Sequence, residues 1–191
     1  MGISLTKGQR VSLEKVSPGL EAVFVGLGWD VNKSDSGSDF DLDTSVFLLG
    51  ENEKLVSDNH LIFYNNLKSP DPDNSVEHMG DNLTGAGEGD DEVVIVNLKK
   101  VPEEVQKITF VVTIYDAEKR GQNFGQVNNA FVRLVDVKTK EEVIRYDLTE
   151  DYSIETAMVM GELYRKDGEW RMSAVGEGYE GGLPAILNRY S

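Results

Sequence analysis

Ile108-Thr109-Phe110-Val111-Val112-Thr113-Ile114-Tyr115 is the stretch that decides the fold class. It is β-branched or aromatic throughout, so it suits a pleated, well-covered strand and loses rotamer freedom in a helix. Outward from it, similar segments recur at 20–29, 44–49, 61–64, 93–98, 131–137, 143–148, 157–165 and 170–176. The links are rich in Asp, Gly and Asn, and Lys166-Asp167-Gly168-Glu169 reads as a hairpin turn between two strands. Helix is expected only in short pieces: one turn at 101–105 with Pro102 near its start, a short helix within 117–127, and a C-terminal one at 183–190. Many strands with short links predict an all-β fold, a β-sandwich of two sheets with few short helices. No repeat or linker interrupts the 191 residues, so one domain over 1–191 is expected.

Charge is distributed unevenly along this chain. Residues 30–92 carry 16 Asp/Glu and 3 Lys, a net −13, while the other 128 residues carry 18 acids and 16 bases, a net −2. Carboxylates crowded in a folded state repel one another unless cations lie between them. With no Cys and two His, the available donors are oxygens, which suit a hard ion, calcium before magnesium or manganese. The overall −15 opposes nucleic-acid binding through phosphates, and no segment is a basic amphipathic helix. The N-terminus lacks the apolar core of a signal peptide, and no apolar run is long enough for a transmembrane segment. Absence of Cys is compatible with a reducing cytoplasm.

Asp39-Phe40-Asp41-Leu42-Asp43 alternates in an extended chain, so its three carboxylates share one face while Phe40 and Leu42 point into the core. That array suits a metal, or the solvated edge of a strand. It is not an EF-hand: from Asp39 as position 1, the required Gly is Thr44 and the closing Glu is Gly50. In 80–92, alternate Gly85, Gly87 and Gly89 permit backbone carbonyls to turn toward an ion, and the acids around them would repel a phosphate. The other reading of that segment is a disordered acidic loop. Asn65-Asn66 offers neutral oxygens or simply caps a turn. His60 and His78 read as structural, and 115–125 reads as a packed polar turn rather than a ligand site. Trp29-Asp30, Tyr64-Asn65 and Tyr115-Asp116 each set a polar residue where an apolar strand stops, so sandwich loops remote in sequence can meet at one edge.

The order of Gly26-Leu27-Gly28-Trp29-Asp30, Phe40-Asp41-Leu42-Asp43, Phe63-Tyr64-Asn65-Asn66, His78-Met79-Gly80-Asp81-Asn82-Leu83-Thr84-Gly85 and Gly87-Glu88-Gly89-Asp90-Asp91-Glu92 resembles the bacterial TerD family of tellurium-resistance and stress-response proteins. The resemblance continues through Thr113-Ile114-Tyr115-Asp116-Ala117, Gln122-Asn123-Phe124-Gly125, Glu155-Thr156-Ala157-Met158 and Gly161-Glu162-Leu163-Tyr164-Arg165. It implies calcium-binding loops at one edge of the sandwich that hold two Ca2+ ions, a role in tellurite and chemical stress, and no catalysis. The metal ligands it implies are Asp30, Asp41, Asp43, Asn65, Asn66, Asp81, Asn82, Glu88, Asp90 and Asp91, with Asp39 just outside the motif. It also implies partners among other tellurium-resistance proteins, some membrane-associated, which would bring a cytoplasmic protein to the inner membrane face. Where many members have Cys-Gly-Ser after Ser69-Pro70, this chain has Asp71-Pro72-Asp73-Asn74-Ser75, so thiol chemistry with tellurite is unsupported. Two other functions use the same carboxylates: a metal-dependent hydrolase, and a calcium-dependent module for lipid or membrane partners.

Overall fold

The two faces of β8 (Lys107–Ile114) are both covered, which is why no charged residue interrupts 108–114. Ile108, Phe110, Val112 and Ile114 face the main core, and Val111 faces a second, smaller one. The computed structural model describes residues 2–31, 40–81 and 89–191, with only the backbone for Val31 and Asp81.

Two six-stranded sheets form among these residues. In chain order the strands are β1 (Ile3–Leu5), β2 (Arg10–Ser12), β3 (Ala22–Val31), β4 (Leu42–Leu49), β5 (Leu61–Ile62) and β6 (Val76–Asp81). After them come β7 (Glu92–Asn97), β8, β9 (Val127–Asp136), β10 (Glu142–Asp147), β11 (Ala157–Lys166) and β12 (Glu169–Tyr179). One sheet runs β1-β10-β9-β3-β7-β6 and the other β2-β12-β11-β8-β4-β5. Every pairing between named strands is antiparallel except that of β1 with β10. The expected two-sheet fold is present. The nine expected strands are all present with shifted ends; β1, β2 and β6 are additional.

Alternation builds the core. Val23, Val25 and Leu27 of β3 meet Val46 and Leu48 of β4, Phe110 of β8 and Met158 and Met160 of β11 between the sheets. Phe40 and Leu42 join this core, as their alternation with Asp41 and Asp43 implies. The β11–β12 hairpin closes on Asp167 and Gly168 with φ of 54° and 76°, the paired left-handed conformation of a two-residue I′ turn.

Helices are α1 (Leu13–Val16), α2 (Ala117–Arg120) and α3 (Gly182–Tyr190), with single 3₁₀ turns at Asp58–His60 and Phe124–Gln126. The expected helix in 117–127 stops at Gly121, whose φ of 62° caps α2, and resumes only as a 3₁₀ turn. Residues 101–105 form a turn closed by Val105 N–H to Pro102 O, not a helix. α3 lies on the outer face of the second sheet, where Ile186 and Tyr190 cover Phe47, Leu49, Val111 and Val159. The rings of Phe47 and Tyr190 are 5.2 Å apart.

On the same outer face Glu162 sits between Thr109 and Ser173, its side chain 18% exposed and 3.8 Å from Lys107 Nζ. Burial raises its pKa, with Lys107 pulling the other way. Its unfolded value is about 4.3, so the folded state holds this proton more tightly. The contribution to stability is therefore full below that pH and is lost as the pH rises through the folded value. Glu162→Gln should raise the urea midpoint at neutral pH, with a gain that shrinks toward zero as the pH is lowered to about 4. A gain independent of pH would show that burial of the charge is not the cause.

Candidate functional site

Two glycines let a second segment cross the end of β3. A Cβ on Gly26 would lie 2.4 Å from Asp90 Oδ2, and one on Gly28 would lie 2.5 Å from the Gly89 carbonyl oxygen and 2.4 Å from the Phe131 ring. In that space the 89–91 segment lies against the strand. Asp91 N–H donates to Leu27 O (2.8 Å), and Trp29 N–H donates back to Asp91 Oδ2 (2.8 Å). The register of β3 with β9 shifts between Gly28 and Asp30, a bulge of the kind common beside functional sites.

Asp90 is nearly enclosed, and Arg133 of β9, the partner of Gly26, meets it with two hydrogen bonds: Nε to Oδ1 (2.8 Å) and Nη2 to Oδ2 (2.9 Å). Arg133 Nη1 also reaches Glu142 Oε2 at 3.3 Å. The Asp90 bond raises the guanidinium pKa against the opposing effect of burial. Asp91 is held above the usual carboxylate range, first by burial and then by the charges of Asp30, Glu92 and Asp90, against the Trp29 hydrogen bond. Asp30 Oδ2 accepts from Asn129 Nδ2 (2.7 Å).

Glu92 turns inward and ties the two sheets. Its Oε2 accepts from Thr44 N–H (2.6 Å) and lies 3.6 Å from His78 Nε2. Gly80 N–H donates to His78 Nδ1 (2.9 Å), so the neutral ring carries its proton on Nε2, 3.2 Å from Thr44 O. His78 is thus held between the two sheets by Gly80, Thr44 and Glu92. His60 Nδ1 is 2.8 Å from Ser57 Oγ, and burial lowers its pKa.

The remaining candidates lie elsewhere. Asp43 sits on the outer face of β4 opposite Thr113 and lines a pocket of about 550 Å³. Tyr64, which precedes Asn65, and the Tyr115–Asp116 pair line the same pocket, so two of the three strand ends singled out above meet. Asp41 is exposed, and its carbonyl accepts from Tyr115 N–H (2.8 Å). Asn65 is exposed in a two-residue turn closed by reciprocal Phe63–Asn66 backbone bonds. The Asn66 amide donates to Leu61 O (2.7 Å) and Asn59 O (3.1 Å). Asp81 ends β6 opposite Glu92. Asp39, Asn82 and Glu88 lie outside the described residues.

Among the described residues no three His, Cys, Asp or Glu side chains are grouped to hold a metal. The described donors around the β3 end are the carboxylates of Asp30 and Asp91 and the Gly89 carbonyl, an oxygen set that fits a hard cation. Asp90 is different, because its two oxygens are bound to Arg133 and it anchors the segment. The sequence reading missed Arg133. Its signal was a lone Arg inside the apolar stretch 131–137, where a buried charge needs a partner.

Fold and site together define a β-sandwich protein with carboxylates gathered at one sheet end. The chain belongs to the TerD family: the TerD domain model matches residues 1–190. It is 63% identical over 190 residues to general stress protein 16U of Bacillus subtilis (strain 168), covering 100% of this chain and 97% of that protein. It is 57% identical over 190 residues to tellurium resistance protein TerD of Serratia marcescens, with 100% and 97% covered. In fold it is similar to a crystal structure of a telluride resistance protein (TerD) homologue from Streptomyces coelicolor A3(2), with a TM-score of 0.66 at 20% identity over 88% of this chain and 96% of that one. Among the described residues no helix is long and apolar enough to cross a membrane.

The anchoring role of Asp90 is testable. Asp90→Ala removes the two-point partner of a largely buried guanidinium, while Glu142 stays, and should cost about 1.5–3 kcal/mol in urea denaturation with EGTA present. A loss seen only with calcium would make Asp90 a ligand rather than an anchor.

Proposed function

We propose that this chain is a calcium-binding stress-response protein that contributes to resistance to tellurite and other chemical stress, working by binding rather than catalysis. The observation that carries this reading is the meeting of Asp30, Asp91 and the Gly89 carbonyl at the end of β3, where the 89–91 segment is tied to the strand through Asp91 N–H and Oδ2. The described acids at this corner are only partly balanced by Arg133. The described candidates also form two groups, Asp30 with Asp91 at the β3 end and Asp43 beside the Tyr64 and Tyr115 turns, which suits two ions. Bound calcium would supply charge neutralisation for both. Asp30 and Asp91 would bind through carboxylate oxygens, while Asp90 and Arg133 hold the segment in register. The names of the relatives, a general stress protein and a tellurium resistance protein, support the stress role. A cytoplasmic location and partners among other tellurium-resistance proteins, some of them membrane-associated, complete the proposal.

The test is calcium titration of metal-stripped protein by calorimetry, with melting curves in parallel. Calcium should bind saturably and raise the melting temperature, since binding to the folded state alone adds about 2.7 kcal/mol at a hundredfold excess over Kd. Asp30→Asn should weaken one class of site about tenfold, roughly 1.4 kcal/mol. Silent calorimetry with superimposable melts in EGTA and in calcium would refute the reading.

A further inference from the structure

On the outer face of the second sheet, α3 covers the middle and leaves its own N-terminal end open. There the floor is Asp43, Ser45 and Thr113, and the walls are Tyr64, Tyr115-Asp116 and Glu118 on one side and Gly181–Pro184 on the other. The volume, about 550 Å³, is in the ordinary range for a small-molecule site. Five large apolar side chains are exposed among the described residues, and two of them, Tyr64 at 57% and Tyr115 at 49%, flank this one pocket. Among the described residues three carboxylates, Asp43, Asp116 and Glu118, line it with one ammonium, Lys119, and the Arg120 guanidinium lies beside the Tyr115 ring.

We infer that this pocket binds a small organic cation, an alkylammonium or alkylguanidinium, with its charged head toward Asp116 and Glu118 and its alkyl body between Tyr64 and Tyr115. The electron-rich face of a tyrosine attracts a cation, and carboxylates nearby add to the attraction. The molecule already shows the preference, for Arg120 Cζ lies 5.6 Å from the Tyr115 ring centroid. Asp116 is available to a ligand: it starts α2 without capping it, and its contact with the exposed Lys119 is 3.4 Å long. An exposed pair of that kind contributes little and yields readily to a better-placed cation. An anionic head is disfavoured by the three acids. At the start of α3 the Gly182 N–H is engaged by Thr156 Oγ1 (2.9 Å).

The same head group can arrive as a free amine or on an Arg or Lys side chain, so the probes are butylguanidine and a short capped Gly-Arg-Gly peptide. Butanol and butyrate serve as neutral and anionic controls. Binding is followed by NMR titration in EGTA and again in calcium, because Asp43 is also a candidate calcium ligand. Butylguanidine should saturate with a Kd of about 1 mM or tighter, fitting for so small a ligand, with shifts confined to the Tyr64, Tyr115 and Asp116 turns. Asp116→Asn and Tyr115→Ala, checked for native spectra, should each weaken it severalfold, and Tyr64→Ala serves as a second aromatic variant. Comparable affinity for the peptide assigns the side-chain source; much weaker peptide binding assigns the free amine. Absence of saturation, equal binding of butanol or butyrate, or displacement by calcium through Asp116 would each overturn the inference. The last outcome would leave the calcium reading intact.

Discussion

Asp90 reaches Arg133 across a strand that offers no side chain at Gly26, and the geometry of the acidic corner follows from that contact. The pair cannot form if β3 carries a methyl group at Gly26, and residues 89–91 cannot lie flat if one stands at Gly28. Once the contact is made, Asp91 falls where its backbone and its carboxylate both bond to β3, and Glu92 falls where it enters the sandwich to meet Thr44. Three consecutive acids thus take three different roles. One neutralises a buried guanidinium, one faces the outer corner among other carboxylates, and one joins the two sheets. Charge density alone does not distinguish them.

Much of the fold is legible in the sequence because its strands are buried on at least one face. The run at β8 carries no charge since both its faces are covered, with α3 over Val111, and the Asp167-Gly168 turn announces its hairpin. β1 and β2 escape notice because three residues give no period to read. β6 escapes because Val76-Glu77-His78-Met79-Gly80-Asp81 mixes an outward charge with an inward histidine. The start of a helix at 101–105 is suggested by Pro102, yet the chain is needed there as a turn between β7 and β8. Tertiary packing outweighs such local preferences.

The site is legible in a different measure. Its residue types stand out in the sequence, but their groupings do not. Asp30 and Asp91 meet through the pairing of β3 and β7, while Asp43 reaches the Tyr64 and Tyr115 turns through the other sheet. Arg133 lies 43 residues beyond Asp90 and is marked only by being a charge in an apolar strand. The second-sheet pocket gathers residues from positions 43 to 184, so no local window contains it.

The parallel seam between β1 and β10 has a consequence for synthesis. Ile3, Ser4 and Leu5 pair with Ile144, Arg145 and Tyr146, and β2 pairs with β12 at Arg171–Ser173. The first strands made therefore wait through the longest stretches of chain for their partners. A chain emerging from the ribosome must keep residues 3–12 unpaired until more than two thirds of it has been translated. Closure of both sheets is then a late step made through contacts of very long sequence separation, the kind that slows folding.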